Sequence, residues 1–283
     1  MAVFLTGDTH GEADIGKVVR FAEAARDLTR DDALIILGDL GLVWSDPASE
    51  SECSRLDWLE AQPFTTYFVD GNHENFDLLE AMPVVERNSG CVHEVRPHVI
   101  HLMRGETYLI GGHTFFVAGG GHSIDRVWRT PHLSWWEQEV PSRAERYHIA
   151  EAAKRLEFVD YVLTHCPPTG CYEWYRARFP KFWGPTGEYT DWLEEHVEGA
   201  FAYKQWFYGH LHMDLPLDGR HVVLFNEVYD LDGTGRTTYG SNMGPCAEGA
   251  THAWELQLTQ KEGEEHSHAH YRCAHCGKTV EVW

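Results

Sequence analysis

Residues 2–11 read AVFLTGDTHG, a short strand followed by a polar turn that carries an Asp and a His. The first five residues are apolar or β-branched, which is the composition of a buried strand. Gly7 and Gly11 flank the polar pair, and glycine lets the backbone turn sharply and approach a ligand. In the spacing Asp8-x-His10, alternate residues of an extended segment point the same way, so both side chains could bind one ion.

The same arrangement recurs four more times along the chain. The further stretches are residues 33–41 (ALIILGDLG), 65–74 (TTYFVDGNHE), 161–168 (YVLTHCPP) and 204–212 (KQWFYGHLH). Ligands collect beyond the carboxyl ends of strands in open α/β sheets, so polar side chains far apart in sequence can converge there. The polar residues at these strand ends include Asp8, His10, Asp39, Asn72, His73, His165, His210 and His212.

These side chains form a mixed set of carboxylate, carboxamide and imidazole groups. Such a set suits manganese, iron, zinc or nickel, whereas magnesium normally prefers oxygen ligands alone. All of them except His73 are candidate ligands. They are more ligands than a single ion can bind once water is counted, so two divalent ions that share one carboxylate are predicted. Each motif alone has a structural explanation, because Gly-Asp after a strand is commonly a turn closed by an Asx hydrogen bond. Five such strand ends in one chain favour a metal centre over five separate turns.

The composition is that of an acidic globular protein of 283 residues. There are 23 Lys and Arg against 44 Asp and Glu, a formal net charge of −21, and 43% of the residues are hydrophobic. This length and composition support a real core, while the negative charge disfavours membranes and broad nucleic-acid binding. We therefore expect no membrane association, and nucleic acid only as a substrate. The N-terminus has no basic segment typical of a signal peptide, and the odd number of cysteines favours thiols or metal ligands, so a cytoplasmic location is predicted.

Strand-like and helix-like segments alternate, which predicts a largely parallel or mixed sheet covered by helices. The helix-like segments are residues 15–28, 54–61, 76–81, 142–158 and 190–197. Three further strands joined by short turns predict an antiparallel meander, and two more are expected to join one of the sheets. These strands are residues 99–102, 107–110 and 113–118, then 222–225 and 253–258. No linker divides the chain, so we expect one domain over residues 1–259 and a His- and Cys-rich tail over residues 260–283.

The chain resembles the calcineurin-like metallophosphoesterase superfamily over residues 1 to about 230. The resemblance is carried by Asp8-x-His10, Gly38-Asp39, Gly71-Asn72-His73-Glu74, Thr164-His165 and Gly209-His210-x-His212. It implies the metallo-dependent phosphatase fold, a four-layer α/β/β/α sandwich of two mixed sheets, which is α/β, or α+β in some schemes. It also implies a metal-dependent phosphoric ester hydrolase that acts on a small phosphorylated substrate, with manganese as the expected metal.

The resemblance further implies a role for each residue of the set. Asp8, His10, Asp39 and His212 would hold one metal; Asp39 as the bridge, Asn72, His165 and His210 would hold the other. A hydroxide that bridges the two ions would attack the phosphorus of a phosphate mono- or diester. His73 would be the leaving-group acid or a hydrogen-bond donor in the transition state. The alternatives are a nuclease or cyclic-nucleotide phosphodiesterase, and a non-catalytic scaffold with this fold.

The second motif departs from the protein phosphatase branch, in which Gly-Asp-x-x-Asp-Arg supplies a phosphate-binding arginine. Here that motif continues as Leu40-Gly41-Leu42. Arg126 and Arg129 are the predicted substitutes, since a guanidinium forks onto phosphate oxygens, and surface salt bridges are the alternative. They lie in a glycine-rich segment, residues 119–129, that is similar to one in a little-characterised bacterial and phage-like branch.

Three further features remain open from the sequence. Residues 166–188 have the composition of a long loop and are predicted to gate the substrate. Aromatic residues near the motifs, such as Trp44 and Trp128, either pack in the core or stack on a planar group of the substrate. In the tail, Cys273-x-x-Cys276 resembles one knuckle of a zinc ribbon. It would need histidines of the tail or a second chain to complete a structural zinc site, and a redox-active or inert dithiol is the alternative.

Overall fold

The computed structural model describes residues 1–25, 27–179, 182, 184, 186–233, 254–259, 269–273, 277 and 279–282. The strands are β1 (Val3–Thr6), β2 (Ala33–Ile36), β3 (Thr65–Phe68), β4 (Val84–Arg87), β5 (Gly90–Arg96), β6 (Val99–Leu102), β7 (Thr107–Ile110), β8 (His113–Ala118), β9 (Phe158–Thr164), β10 (Ala202–Tyr208), β11 (Leu215–Pro216), β12 (His221–Val223), β13 (Val228–Asp230), β14 (Trp254–Thr259), β15 (Ala269–Cys273) and β16 (Thr279–Val282). The helices are α1 (Gly16–Ala24), α2 (Glu50–Glu60), α3 (Phe76–Glu80), α4 (Arg143–Ala153), α5 (Thr169–Arg178) and α6 (Glu188–His196), with single 3-10 turns at Arg126–Trp128 and Glu137–Glu139. None of the helices in the described part of the chain is both long enough and apolar enough to span a bilayer.

Two mixed sheets form the body of the fold. The first has the strand order β13-β1-β2-β3-β6-β5-β4, and the second has the order β11-β12-β10-β9-β8-β7. Strands β1, β2, β3 and β6 are parallel, as are β8, β9, β10 and β12, and the antiparallel strands lie toward the edges. The carboxyl ends of the central strands of each sheet therefore lie at one edge of that sheet.

Alternation along the strands divides the apolar side chains among three cores, because successive side chains of a strand point to opposite faces. Ile35 of the first sheet and Leu163 and Phe207 of the second meet in the central core. Ile36 faces the opposite way, into the core beneath α1, α2 and α3. Trp206 packs beneath α4, α5 and α6 on the far side of the second sheet. This distribution confirms the predicted four-layer α/β/β/α sandwich.

The longer helices begin at recognisable caps. Ser49 precedes α2 and Ser142 precedes α4, and each accepts a hydrogen bond from the backbone of the Glu three residues later, Glu52 or Glu145. Each Glu carboxylate in turn accepts from the backbone N–H of its cap residue, which completes a capping box. The Glu52 carboxylate also accepts from the backbone of Trp44, so one side chain sets both the start of α2 and the loop before it.

The predicted meander is wrong in one respect. Strands β7 and β8 do form an antiparallel pair in the second sheet, but β6 lies in the first sheet, parallel to β3. All four residues of β6 are buried, which is typical of a strand covered on both faces. The hairpin β4–β5 before it was not predicted, although its turn residues Asn88 and Ser89 both adopt positive φ, as tight hairpins require.

The predicted loop at residues 166–188 is also wrong, because it contains α5. Cys171, Tyr172 and Tyr175 are buried on one side of this helix, at the spacing of an amphipathic helix. They pack into the core beneath α4, α5 and α6. The aromatic composition of this segment therefore serves packing.

The last described strands form a sheet of their own, β14-β15-β16, which corrects the expectation that residues 253–258 join one of the two large sheets. The boundary at residue 259 remains a prediction, and β14, which ends there, pairs with β15 beyond it. The predicted zinc knuckle lies outside the described residues. Cys276 is not among them, and of Cys273 only the backbone, in β15, is described.

Candidate active site

All eight predicted site residues follow the carboxyl ends of parallel strands in the two sheets. Asp8 and His10 follow β1, Asp39 follows β2, Asn72 and His73 follow β3, His165 follows β9, and His210 and His212 follow β10. The side chains come from both sheets, so the site lies where the sheet edges meet. Asp8, Asp39, Asn72 and His165 are buried, and the other four are partly exposed.

One group of side chains gathers around Asp8. The Nε2 atom of His212 lies 3.1 Å from Asp8 Oδ2, and His10 Nε2 lies 4.0 Å from the same oxygen. His10 Nε2 also lies 3.2 Å from Asp39 Oδ2. Ligand atoms of Asp8, His10 and His212 all lie within 4.8 Å of one another, which is close enough to hold one ion.

A second group gathers around His165. Its Nε2 atom lies 3.0 Å from Asn72 Oδ1, 3.1 Å from His210 Nδ1 and 3.4 Å from Asp39 Oδ1. One oxygen of Asp39 thus faces His10 and the other faces His165. A carboxylate placed in this way can bridge two ions.

Hydrogen bonds from outside the cluster orient two of the imidazoles. His165 Nδ1 lies 2.8 Å from the carbonyl oxygen of Leu37, which can only accept, so Nδ1 carries a proton and Nε2 faces the site. His10 Nδ1 lies 2.7 Å from Asp14 Oδ2 in the same way. Metal-binding histidines are usually oriented by a carbonyl or carboxylate on the far nitrogen. Burial alone would lower the pKa of His10, but Asp14 and Asp39 raise it to about 10.

The carboxylates and imidazoles shift one another's pKa. Burial alone would raise the pKa of Asp8, but the positive charge of His165 holds it below its usual range. Burial would likewise lower the pKa of His165, but Asp39 and Asp8 raise it to about 9. His210 moves the other way, because burial and then the charge of His165 lower its pKa to about 3. The carboxylates therefore stay ionised, as metal ligands must be.

The backbone is strained at the site. Among the described residues, seven that are not glycine have positive φ, and four of them are His10, Asp39, His210 and His212. Such conformations are costly and cluster where surrounding structure enforces them, commonly at functional sites. Close packing adds to this: a Cβ at Gly71 would overlap the carboxylate of Asp39. The glycines next to the motifs thus make room for neighbouring ligands.

His73 lies beside the cluster with a cation and an indole ring against it. Its backbone N–H donates to Asp39 Oδ1 at 2.7 Å. Nη1 and Nη2 of Arg129 lie 3.2 Å from its Nδ1 and Nε2 atoms, and Trp44 stacks on it with ring centroids 6.3 Å apart. The Nε–H group of Arg129 donates a hydrogen bond to Asp125 Oδ1 at 2.7 Å. Burial lowers the pKa of His73, and the charge of Arg129 adds to this effect while that of Asp39 opposes it.

Two buried residues that sequence analysis missed hold Asn72 in place. The Nδ2 group of Asn72 donates to Ser123 Oγ at 3.3 Å, and Ser123 Oγ donates to Glu139 Oε2 at 2.5 Å. The Ser123 backbone N–H donates to the other Glu139 oxygen at 2.9 Å. These hydrogen bonds keep the Asn72 carbonyl oxygen turned toward His165. No local pattern marks Ser123 and Glu139, which lie far from Asn72 in sequence.

A buried ion network supports the same turn. Asp70 accepts from Arg104 Nε at 2.7 Å, and its other oxygen lies 3.2 Å from His101 Nε2. Arg104 also donates to Glu145 of α4 at 2.9 Å, and the Gly120 backbone N–H donates to the Asp70 carbonyl at 2.8 Å. Asp70 therefore ties the turn that carries Asn72 and His73 to the glycine-rich segment that carries Arg129.

A buried lysine lies beneath the Asp8 group. Lys17 Nζ donates to the backbone carbonyls of Asp8 and Phe225. The ring of Phe225 stacks on His212 at 4.6 Å between centroids, so Lys17 supports two ligand positions at once. Burial lowers the pKa of Lys17 to about 8. The signal in the sequence was a lysine beside the apolar positions of α1, next to Val18.

The remaining predicted residues lie elsewhere. The guanidinium of Arg126 lies 5.2 Å over the ring of Trp135, and no described contact joins it to the eight residues of the cluster. Trp128 is 87% exposed, whereas Trp136 is buried and packs edge-on against Trp44. Of the two predicted arginines, Arg129 is therefore the one placed at His73.

The donor set and its geometry fit divalent metal ions, since oxygen and imidazole nitrogen atoms converge from five strand ends. Comparisons with known proteins agree with this chemistry. Residues 1–214 match the family model described as calcineurin-like phosphoesterase. The search of curated proteins returned no match for this chain.

A search of solved structures returned matches to this chain. One is phosphopantetheinyl hydrolase (PptH) from Mycobacterium tuberculosis, at 18% identity and a TM-score of 0.40, covering 79% of this chain and 89% of that one. Another is a protein serine/threonine phosphatase from Saccharomyces cerevisiae with similarity to human phosphatase PP5, at 14% identity and a TM-score of 0.34, covering 80% of this chain and 67% of that one. The family match spans 214 of the 283 residues and includes all eight residues of the cluster and Arg129. The chain belongs to the calcineurin-like phosphoesterase family and is a metal-dependent phosphoester hydrolase.

Proposed function

We propose that this phosphoesterase works with a dinuclear metal centre in which Asp39 is shared by two divalent ions. The observation that carries the proposal is the overlap among three groups of ligand atoms, each lying within 4.8 Å of one another. The groups are Asp8, His10 and His212; His10, Asp39 and His73; and Asp8, Asp39 and His165. Because they overlap, the cluster offers more than one ion position within a single connected set of side chains.

The ligands divide into two sets on this proposal. Asp8, His10, Asp39 and His212 would hold one ion, and Asp39, Asn72, His165 and His210 would hold the other. The two oxygens of Asp39 support this division, since each faces a different set. Manganese is the proposed metal, and iron, zinc or nickel also suit mixed oxygen and nitrogen ligands. When bound, such ions supply Lewis-acid stabilisation and acidify water.

The chain's own residues have separate tasks around the scissile phosphate. Arg129 is the proposed phosphate-binding residue, because Asp125 and the Ser134 carbonyl fix its guanidinium beside His73, where an oxygen of the ester would take the place of the His73 ring as acceptor. His73 is the proposed leaving-group acid or hydrogen-bond donor in the transition state. Trp44 packs against its ring and limits rotation.

The proposed substrate is a small phosphate mono- or diester. The partly exposed His10, His73, His210 and His212 leave the centre open to solvent, while the net charge of −21 disfavours long nucleic acids. The proposed location is the cytoplasm, and the thiols of Cys53, Cys91, Cys166 and Cys171 are all unpaired, as in a reducing compartment.

The experiment that tests the reaction compares two esters on one preparation. Protein stripped with a chelator is reloaded with Mn²⁺ and assayed with p-nitrophenyl phosphate and bis(p-nitrophenyl) phosphate, with Asp39→Asn as the blank. Turnover above the blank that depends on Mn²⁺ supports the proposal, and the faster ester identifies the substrate class. A rate equal to that of the blank for both esters contradicts it and favours a non-catalytic scaffold.

A second variant tests the role of His73, which also lies within reach of an ion at His10 and Asp39. We expect His73→Ala to bind as much Mn²⁺ per chain as the wild type and to lose about 10²- to 10⁴-fold in kcat, the usual contribution of a positioned proton donor. Bound metal is counted by elemental analysis. A parallel loss of metal would show that His73 is a ligand instead.

A further inference from the structure

A groove between α4 and α6 lies outside the candidate active site. Its volume is about 410 Å³, within the range of small-molecule sites. The residues that line it are Arg143, Arg146, Tyr147, Ala150, Lys154, Glu188, Trp192 and His196. Three of these side chains are cations, in a protein with 21 more acidic than basic residues. The groove is therefore a local concentration of positive charge.

The cations lie on one side of α4. Residues 143, 146, 147, 150 and 154 follow the three- and four-residue spacing of a single helix face, so Arg143 and Arg146 are neighbours on the helix surface. Both lie in the first turn of α4. Cations there are unfavourable because the helix dipole is positive at this end, and a bound anion would reverse that effect. The geometry thus favours an anion held by both arginines.

The pairing of these cations leaves room for a ligand. Among the residues that the structure describes, no acidic side chain pairs with Arg143. Arg146 pairs with Glu188 at 2.7 Å; the Arg146 side chain is 19% exposed, whereas that of Glu188 is 78% exposed, so water competes for this carboxylate. Lys154 pairs with Glu151, one turn away on the same helix, at 2.9 Å. An anion in the groove meets one unpaired guanidinium and a second whose partner is easily displaced.

Aromatic rings complete the groove. Tyr147 is 69% exposed and lies one residue after Arg146. On the opposite wall, Trp192 stacks against His196 with ring centroids 5.0 Å apart, and against Tyr189 at 6.0 Å, which makes the wall rigid. The ring of Tyr147 is therefore free to stack on a planar group, and the stacked wall limits the width of that group.

The groove begins near the candidate active site. Helices α4 and α6 precede the parallel strands β9 and β10, so both helices start at the sheet edge where the metal-centre residues lie. Gly187, which precedes α6, packs against the ring of His122. The neighbouring Gly121 packs against His165 and Asn72. The end of the groove at Arg143 and Glu188 therefore lies on the same side of the molecule as the active site.

We infer that this groove binds a nucleoside phosphate. Its phosphate would lie between Arg143 and Arg146, and its base would stack on Tyr147 beside the edge of Trp192. The four-residue step from Arg143 to Tyr147 spans about 6 Å of helix, so a phosphate at the arginines and a base at Tyr147 can belong to one ligand joined by a sugar. A dianionic phosphate suits two adjacent guanidinium groups better than the single charges of an acidic peptide do.

The experiment measures binding to protein stripped of metal, so that phosphate cannot bind through ions at the metal centre. AMP is titrated by calorimetry into the wild type and three variants. We expect Arg143→Ala to weaken binding about 5- to 50-fold, because a charge-assisted contact to phosphate is lost. Glu188→Gln should tighten binding about 2- to 5-fold, because it removes the competing carboxylate. The matched control is Arg155→Ala, which removes the same charge from an exposed position just beyond α4 and outside the groove.

Several results would overturn the inference. They are the absence of AMP binding at millimolar concentration, equal weakening by Arg143→Ala and Arg155→Ala, or binding of inorganic phosphate as tightly as AMP. Tighter binding of an acidic peptide than of AMP would also overturn it and assign the groove to a protein partner. None of these measurements uses turnover, so their failure is distinct from failure of the proposed hydrolysis.

Two sources of the nucleoside phosphate are separated by kinetics on the Mn²⁺-loaded enzyme. If the ligand is part of the substrate, Arg143→Ala raises KM for a nucleotide ester and leaves KM for p-nitrophenyl phosphate unchanged. If it is an effector, AMP changes the hydrolysis of p-nitrophenyl phosphate in the wild type and not in Arg143→Ala. Either pattern supports a nucleoside phosphate site.

Discussion

Replacing Ser123 by alanine tests whether the metal centre depends on the hydrogen-bond chain behind Asn72. The Ser123 hydroxyl accepts from Asn72 at 3.3 Å and donates to the buried Glu139 at 2.5 Å. Without it, the Asn72 amide group loses its acceptor, and Glu139 loses the hydroxyl but keeps the backbone N–H of residue 123. The Asn72 side chain is then free to rotate and turn its amide group toward His165.

Two effects follow, and they have different sizes. Buried polar groups left without a partner cost about 1–3 kcal/mol, which for a chain of this size lowers Tm by about 2–4 °C per kcal/mol. Loss of an outer-shell partner of a ligand typically weakens metal binding about 10- to 100-fold. We therefore expect both a lower Tm and a lower Mn²⁺ affinity in Ser123→Ala.

The assays are differential scanning fluorimetry on chelator-stripped protein and Mn²⁺ titration in competition with a chromogenic chelator. Ser134→Ala is the matched control, because the Ser134 hydroxyl accepts only from the backbone of Thr130 among the described contacts. Mn²⁺ affinity within twofold of the wild type in Ser123→Ala, with Tm lowered, would refute the positioning argument. The serine would then serve stability alone.

Other perturbations test separate parts of the structure. Arg129→Ala should lower kcat/KM for a phosphate ester by about 10²-fold, since a bidentate phosphate contact of about 3 kcal/mol is lost, whereas Arg126→Ala should change it less than threefold; similar losses in both would contradict the placement of Arg129 at His73. The pKa of Glu52 is lowered from 4.5 to about 2 by hydrogen bonds that outweigh burial. Its folded pKa is below the unfolded one, so its contribution of up to about 3 kcal/mol at pH 7 should be lost as pH falls from about 4.5 to 2. Urea unfolding at pH 7 and pH 3 should show about 2 kcal/mol of this loss in the wild type, because pH 3 is still above the folded pKa, and a smaller loss in Glu52→Gln; equal losses would argue against it. Chelation of metal should lower the unfolding free energy by about 2.7 kcal/mol where Mn²⁺ was present at 100 times its Kd, and an unchanged Tm after chelation would mean that no metal was bound to the folded chain.

The residues of the candidate site could be recognised because their signal is local. Asp8, Asp39 and His165 each follow a short apolar run, and glycine stands close to the polar residue in most of the motifs. A strand has only one carboxyl end, so placing the strand also places the residue that follows it. The order of these motifs identified the family, which the match over residues 1–214 confirms.

Errors arose where a local pattern fits two structures. The apolar run of β6 fits a meander as well as the parallel position beside β3 that it occupies. The aromatic and proline-rich composition after His165 is typical of a loop, but Tyr172 and Tyr175 of α5 are buried against the second sheet. In both cases burial decides the structure, and burial depends on elements distant in sequence.

The sequence by itself determined the alternation of strands and helices and the polar residues at five strand ends, because both are set by neighbouring residues. The four-layer class followed from the family resemblance that these motifs carry. Only the tertiary structure decided that Arg129 lies against His73, that Ser123 and Glu139 hold Asn72, and that Arg143 shares a groove with Trp192. These contacts join residues with no sequence pattern in common, at distances that only the packing of two sheets and their helices sets. Functional residues that follow a single strand end can therefore be predicted from the sequence. The residues that orient them, and the groove between α4 and α6, can be identified only from the packing of the layers.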